Sequence, residues 1–370
     1  MNKRLQYQII RMSIWVVTVI AVIGCAPERR DSSGSGQLVI EDMHGREITL
    51  TNKVERVVCM RAGALRMLAY LDAVEYVAGI EEPERQADRP YLMANPQLRE
   101  LPSVGPLMGG DSELLVAADP DVIFMTFTTA GQADELQNRT GIPVVALEYG
   151  DFSLHRDTFF ESLKKMASVL GKEDRADELI AYIRSSLEEL NERTSGHSEA
   201  DSPRVYVGGV SYSGTRGIAS TEPFYPPFRF INAQNVAGEI DERLVNPIQG
   251  TFIDREQLIM WDPEVVFVDL ASWSVTRGEL SPGTPLYESM SALRNGEVYG
   301  VLPYNNYAAN YENILANTWY VAGVLYPDLF GEVDIRDKVD EVYERFLGVS
   351  VYDELKEVWG GYRQLDRELP

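Results

Sequence analysis

One short pattern occurs in each half of the chain: a helix, an Asp-Pro turn and a buried strand. It covers residues 113–124 in the first half and residues 256–267 in the second. Strands that alternate with helices are typical of a largely parallel sheet covered on both faces. The duplication therefore predicts an α/β fold of two similar lobes. Because open α/β sheets bind ligands at the carboxyl ends of their strands, we expect a ligand cleft between the lobes.

A helical segment separates the two halves. Apolar residues repeat at helical spacing from Asp157 to Arg193, with one interruption at Gly171-Lys172. The second of these helices, at about 20 residues, would be roughly 30 Å long and could reach from one lobe to the other. We therefore expect an N-terminal lobe over residues 37–156, a helical segment with the interlobe helix over residues 157–195, and a C-terminal lobe over residues 203–370.

The N-terminus has the pattern of an export signal. Three basic residues precede an apolar run from Met12 to Gly24, which is too short to span a bilayer comfortably. Val22-Ile23-Gly24-Cys25 resembles a lipobox. We predict a signal peptide over residues 1–24, lipidation of Cys25 and a flexible tether over residues 25–36. The protein would be exported, and anchored by lipid to the outer face of the cytoplasmic membrane or periplasmic. An ordinary signal peptide and an uncleaved anchor are the alternatives.

Composition excludes several classes of function. The formal charge of −23 argues against nucleic acid as a partner. If Cys25 carries lipid, Cys59 has no partner for a disulfide, and we expect it to be a small buried hydrophobe. The chain has three histidines, none on a predicted cleft loop, which disfavours a bare zinc or manganese site. The spacing around Ser211 does not fit a nucleophile elbow, so we expect no enzyme activity.

Loops that follow the predicted strands supply the candidate ligand contacts. Arginine offers a planar fork for carboxylates and oxyanions, and tyrosine and tryptophan offer a flat face with a polar tip. This set suits an anionic, partly aromatic metal chelate such as a ferric siderophore. Structural ion pairs and core packing are the alternative roles, and direct ligation of iron by tyrosine stays open. The candidates are Arg61, Met108, Gly109, Thr128, Tyr212, Arg216, Tyr225, Trp273, Tyr304 and Tyr307.

Several short motifs, in this order and spacing, resemble the substrate-binding lipoproteins of ABC importers for iron–siderophore chelates, haem and vitamin B12. The motifs extend over nearly all of the mature chain and lie at Gly45–Leu50, Glu55–Val58, Leu101–Gly105, Asp119–Ile123, Leu170–Lys172 and Leu293–Tyr299. The resemblance implies two Rossmann-like lobes joined by a single long rigid α-helix, with little closing motion. It also implies docking on arginines of the permease through one exposed glutamate per lobe, here Glu113 and Glu256.

The sequence thus predicts a monomeric substrate-binding lipoprotein with no resident cofactor. It would capture an iron(III)–siderophore or similar metal chelate and deliver it to an ABC permease and ATPase complex. Within the same class, molybdate or tungstate and a corrinoid such as cobalamin are alternative ligands. A more distant alternative is an exported sensory or adhesive module.

Overall fold

The N-terminal lobe is built around a parallel sheet. The computed structural model of the protein describes residues 37–50, 53–196, 202–212, 214–245 and 250–365. The strands of this lobe are β1 (Leu38–Glu41), β2 (Glu47–Leu50), β3 (Val57–Met60), β4 (Val77–Gly79), β5 (Val122–Met125) and β6 (Val144–Ala146). Its helices are α1 (Ala64–Tyr70), α2 (Pro90–Ala94), α3 (Ser112–Ala118) and α4 (Ala130–Thr140). The sheet has the order β4-β3-β5-β6 with all neighbours parallel, and β1 and β2 form a separate antiparallel hairpin.

The central strands of this sheet are covered on both faces. Every residue of β3 and β5 is buried. Continuous apolar runs of this kind are typical of parallel strands that lie between helices, because neither face meets water. Cys59 belongs to β3 as a buried free thiol, and burial raises its pKa. It therefore packs as the small hydrophobe that the sequence predicts.

Two consecutive helices lead from the first lobe to the second. They are α5 (Arg156–Leu170) and α6 (Glu173–Thr194). Gly171 ends α5 with a φ of 65°, in the left-handed region that favours glycine. The 22 residues of α6 span about 33 Å, and its buried residues follow helical spacing along one face. The opposite face carries the acidic and basic residues of this segment.

The C-terminal lobe repeats the architecture on a larger scale. Its strands are β7 (Arg204–Gly208), β8 (Ser220–Thr221), β9 (Gln234–Asn235), β10 (Thr251–Phe252), β11 (Val265–Asp269), β12 (Val298–Val301) and β13 (Arg363–Gln364). Its helices are α7 (Pro226–Phe230), α8 (Arg255–Trp261), α9 (Trp273–Glu279), α10 (Pro285–Ser289), α11 (Ser291–Asn295), α12 (Tyr311–Leu325), α13 (Pro327–Phe330), α14 (Ile335–Leu347) and α15 (Tyr352–Trp359). The sheet order is β13-β12-β11-β7-β9, parallel except for the edge strand β13.

One hydrophobic cluster extends through both lobes. It includes Val57 and Phe124 from the first sheet, and Val207 and Phe267 from the second. Trp319 of α12, fully buried, belongs to the same cluster. The α/β fold class predicted from the sequence is confirmed. Because the two lobes share apolar packing, moving them far apart would expose core side chains to water.

The predicted signal peptide, the lipidation at Cys25 and the tether all lie outside the described residues. Within the described part of the chain, no helix combines the length and the apolar character needed to cross a bilayer.

Candidate functional site

A cavity of about 780 Å³ opens between the two lobes. Its walls come from loops at the carboxyl ends of strands in both sheets, as expected for open α/β sheets. The N-terminal lobe contributes Phe127, after β5, and residues 148–151, after β6. The C-terminal lobe contributes Tyr212, after β7, and Tyr304 and Asn305, after β12. The volume lies within the range of cavities that hold small-molecule ligands.

Aromatic rings form much of the cavity wall. On one side, the rings of Phe127 and Tyr149 lie 5.9 Å apart. On the other, Tyr212 and Tyr304 meet edge to face at 6.3 Å. Tyr149 is held in place by stacking on Tyr311 at 4.8 Å and by donating its hydroxyl to the carbonyl of Ala309 at 2.7 Å. The rings thus present fixed apolar faces to a ligand.

Carboxylates supply the charged groups of the wall. They belong to Glu148, Asp151, Glu222 and Glu242, and no lysine or arginine lies among the described lining residues. Glu222 accepts hydrogen bonds from the Tyr212 hydroxyl and from the Phe224 N–H, the latter at 3.0 Å. Burial raises the pKa of Glu222 in spite of these bonds. Sequence reasoning missed Glu148 and Asp151, although they follow a strand that the pattern predicts.

Three of the predicted ligand contacts meet instead at Glu81, which lies just beyond β4. This carboxylate is 1% exposed and accepts from the Arg61 N–H at 3.1 Å and the Met108 N–H at 3.0 Å. Tyr307, from the other lobe, donates its hydroxyl at 2.7 Å. Burial raises the pKa of Glu81 to about 7. Glu81 therefore joins the lobes beside the cavity, and Gly109 lies next to this junction in an open loop.

The side chain of Arg61 extends from this junction toward the cavity wall. Its guanidinium donates to the carbonyl of Phe127 and, at 3.1 Å, to Oε1 of Gln132. Thr128 donates to the same Gln132 oxygen at 3.4 Å, and its carbonyl lies 2.9 Å from Nε2 of His44. Arg61 and Thr128 thus support the loop that carries Phe127.

Arg66 is a second link between the lobes, and no motif in the sequence singles it out. It belongs to α1 of the first lobe and is 0% exposed. Its guanidinium donates to backbone carbonyls from 306 to 309 of the second lobe, including that of Ala309 at 2.8 Å, and to Oδ1 of Asn310. Glu312 lies 3.8 Å from its Nε. We call residues 305–310 the bridging segment.

Other predicted contacts lie away from the cavity. Tyr225 is 0% exposed and packs edge to face on Phe228, so the structure places it in the core behind Tyr304. Trp273 packs against the second hydrophobic cluster of the C-terminal lobe. The guanidinium of Arg216 lies 5.6 Å from the ring of Phe252 and is not part of the wall. Of the ten candidates, Tyr212 and Tyr304 line this cavity directly.

The prediction that no histidine lies on a cleft loop is wrong, because His155 lines the cavity. Even so, the described residues contain no group of three or more histidine, cysteine, aspartate or glutamate side chains arranged to hold a metal ion.

The predicted docking glutamates lie at equivalent places in the two lobes. Glu113 is in the first turn of α3 and Glu256 in the first turn of α8, and both are exposed. A carboxylate is favoured there by the helix dipole. Exposed apolar side chains accompany both glutamates: Leu114 and Val116 in one lobe, Phe252 and Met260 in the other.

Comparison with known proteins gives consistent results at the level of family and fold. The sequence profile of the periplasmic binding protein family matches residues 57–304. The molybdate-binding protein MolA of Haemophilus influenzae is 23% identical over 350 residues, which cover 89% of this chain and 96% of that protein. Its crystal structure with molybdate superposes with a TM-score of 0.66, at 22% identity, over 85% of this chain and 98% of that one.

Two further solved structures share the fold. A periplasmic solute binding protein of Veillonella parvula has a TM-score of 0.68 at 16% identity, covering 88% of this chain and 97% of that one. CeuE of Helicobacter pylori, solved as a Ni-His complex, has a TM-score of 0.61 at 16% identity, covering 87% and 99%. Each alignment therefore includes nearly the whole of the solved chain and residues from both lobes of this one.

Proposed function

This chain belongs to the periplasmic binding protein family, and we propose that it captures an iron(III)–siderophore or similar small metal chelate for an ABC importer. The observation that carries the proposal is the interlobe cavity at the carboxyl ends of both sheets, with its aromatic wall. Metal chelates present flat organic surfaces around a shielded ion, and fixed rings bind such surfaces well. Since the ion keeps its own ligands, the protein needs no metal-binding cluster.

Polar groups on the wall are positioned to orient such a ligand. Tyr304 and Tyr212 lie on the C-terminal wall, and Asn305 lies beside them. Oδ1 of Asn305 is buried and accepts no hydrogen bond from the described residues. A buried acceptor without a donor costs free energy, which a ligand donor would recover. Cavities of this kind combine apolar walls with a few polar groups that fix orientation.

Membership of the family implies export to the periplasm. We further propose that Cys25 carries lipid, that the protein is a monomer, and that Glu113 and Glu256 dock on the permease. The exposed position of these glutamates on both lobes, each with apolar neighbours, supports the docking role.

Equilibrium dialysis tests the ligand assignment. None of the described tryptophans lines the cavity, so intrinsic tryptophan fluorescence is a poor reporter here. We would dialyse the exported protein against ferric catecholate, hydroxamate and citrate chelates, and count bound metal. Saturable binding of one chelate per chain is expected. If none of the ferric chelates binds, the proposal of iron chelate capture is wrong.

Molybdate or tungstate is the second candidate ligand. It is supported by the sequence similarity to MolA, which extends over most of both chains. The same dialysis with molybdate, tungstate and cobalamin as separate arms distinguishes these ligands. Binding of an oxyanion alone would keep the transport role and change its substrate.

A further inference from the structure

The charge on the cavity wall is one-sided. Among the described lining residues, the acidic and basic side chains other than His155 are four carboxylates: Glu148, Asp151, Glu222 and Glu242. Glu148 is about half exposed, with 47% of its side chain accessible, and its Oε1 lies 3.6 Å from Nε2 of His44. Glu242 is exposed. Carboxylates that share a concave surface add their potentials inside it, because field lines are focused by the surrounding low-dielectric walls. A ligand in this cavity therefore meets a negative potential.

No arginine is among the described lining residues. Arg156, which follows the lining residue His155, lies within electrostatic reach of Asp151, and its guanidinium lies 5.8 Å from the ring of Phe230. Arg66 lies behind the wall, where its guanidinium is surrounded by carbonyls of the bridging segment and by Glu312. Arg61 donates to Phe127 and Gln132. Both of these bonds of Arg61 come from Nη1, and its Nε is buried without a hydrogen-bond partner. Neither Arg61 nor Arg66 is among the described residues that line the cavity, so neither presents its guanidinium to a ligand there.

Hydrogen-bonding groups on the wall are biased in the same direction. The hydroxyl of Tyr149 donates to Ala309, and that of Tyr212 donates to Glu222. These two donors are therefore used within the protein. Oδ1 of Asn305 is buried without a donor. Oγ of Ser153, also on the wall, is buried without a partner and can accept as well as donate. The carboxylates and these two oxygens can therefore accept hydrogen bonds from donors of a ligand.

From these observations we infer that the cavity selects a metal chelate with a net positive charge and exposed N–H donors, and discriminates against anionic chelates and oxyanions. This inference rests on the proposed function. The charge of the inferred ligand is opposite to that of the anionic chelate predicted from the sequence, where arginines were the candidate contacts. The aromatic wall agrees with it, since ammonium groups bind to the faces of tyrosine and phenylalanine.

A matched series of ligands isolates the effect of charge. A linear ferric trihydroxamate with a pendant amine can be used with the amine free, acetylated or succinylated, which gives a cationic, a neutral and an anionic chelate with the same iron centre. We expect the dissociation constant, measured by equilibrium dialysis at low salt, to rise about tenfold at each step, equivalent to about 1.4 kcal/mol. High salt is expected to reduce the differences among the dissociation constants of the three chelates, because it screens the charges.

Variants of the wall identify the source of the preference. The double variant Glu148→Gln with Glu242→Gln is expected to reduce the ratio between the affinities for the cationic and the neutral chelate. Glu135→Gln with Glu188→Gln, both exposed on other helices, serves as the control and should keep the preference. Equal affinity for all three chelates, or tighter binding of the anionic one or of molybdate, overturns the inference and leaves the transport role intact. If the protein binds no metal chelate and no oxyanion at all, the proposed function itself fails.

Discussion

Leu154 is the residue of the cavity wall that can best be converted into a reporter. It lines the cavity, lies in the loop before α5 and is 42% exposed, so a larger side chain there does not disturb the core. The described tryptophans lie elsewhere. A tryptophan at this position would therefore lie closer to a bound chelate than the described tryptophans do.

We expect Leu154→Trp to show strong, saturable quenching of its fluorescence by a bound ferric chelate. Val116→Trp is the matched control, since Val116 is a similarly exposed apolar residue on α3, away from the cavity wall. Equal quenching of the two variants would mean that the chelate does not bind near Leu154.

At single positions, the sequence predicts a location best where the end of a strand alone determines it. Tyr212 and Tyr304 follow buried strands and line the cavity. Tyr225 lies in an aromatic segment, and that composition predicts a place in the cleft, but the residue is buried in the core. Glu148 and Asp151 follow the carboxyl end of β6. A search of the residues after every predicted strand finds them. Glu81 and Arg66 have roles that depend on contacts with the other lobe, which no local pattern encodes.

Among the elements, the bridging segment connects the two lobes most extensively. Arg66 of α1 holds its carbonyls, and Tyr307 within it donates to Glu81. Tyr307 and Ala308 have φ values of 60° and 70°, in the left-handed region that costs free energy for non-glycine residues. The surrounding hydrogen bonds hold the segment in this conformation.

Removing the charge of Arg66 should be strongly destabilising. Arg66→Met leaves buried carbonyls without donors and Glu312 without its cation, so we expect the free energy of unfolding to fall by about 3–5 kcal/mol. Urea denaturation provides the measurement. Lys164→Met removes an exposed ion pair with Asp177 and should cost at most about 1 kcal/mol. A similarly small loss for Arg66→Met would show that the link between Arg66 and the bridging segment contributes little to stability.

Glu81 makes the junction between the lobes sensitive to pH. Burial raises its pKa from 4.5 to about 7 in the folded protein. Between these values the folded state holds a proton that the unfolded chain has lost, so the stability contributed by Glu81 is full below pH 4.5 and falls as pH rises to 7. The expected change is about 3 kcal/mol.

Glu81→Gln should therefore flatten the decrease in stability between pH 5 and pH 7.5, as measured by urea denaturation at several pH values. Burial also raises the pKa of Asp269 to about 7. Part of the decrease in stability with rising pH therefore remains in Glu81→Gln. Glu135→Gln, an exposed change on α4, should retain the wild-type slope. An unchanged slope in Glu81→Gln would show that Glu81 does not titrate in this range.

For the whole molecule, the architecture was predictable and the cavity chemistry was not. The duplicated helix, Asp-Pro turn and strand predicts two α/β lobes because each half must bury the same kind of sheet. The charge of the cleft depends on which loops meet across it. Sequence order predicts Arg61 and Arg216 on cleft loops, but neither residue lines the cavity, and their side chains contact Phe127 and Phe252.

The docking proposal also belongs to this scale, because it needs both lobes at once. We expect Glu113→Arg with Glu256→Arg to abolish import and leave chelate binding unchanged, since both residues lie outside the cavity wall. Uptake of radioactive iron by cells that carry the variant measures this. Glu135→Arg with Glu188→Arg is the control of equal charge change. Normal uptake by the docking variant would refute the assignment.

The position of a bound iron chelate tests the proposed ligand site. Crystals of the protein grown with a cationic ferric trihydroxamate would be measured at the iron absorption edge. We expect one anomalous peak inside the interlobe cavity, between the aromatic wall of Tyr212 and Tyr304 and the carboxylates of Glu148 and Asp151. A peak at any other place on the protein, or none in crystals shown to contain the chelate, would contradict it.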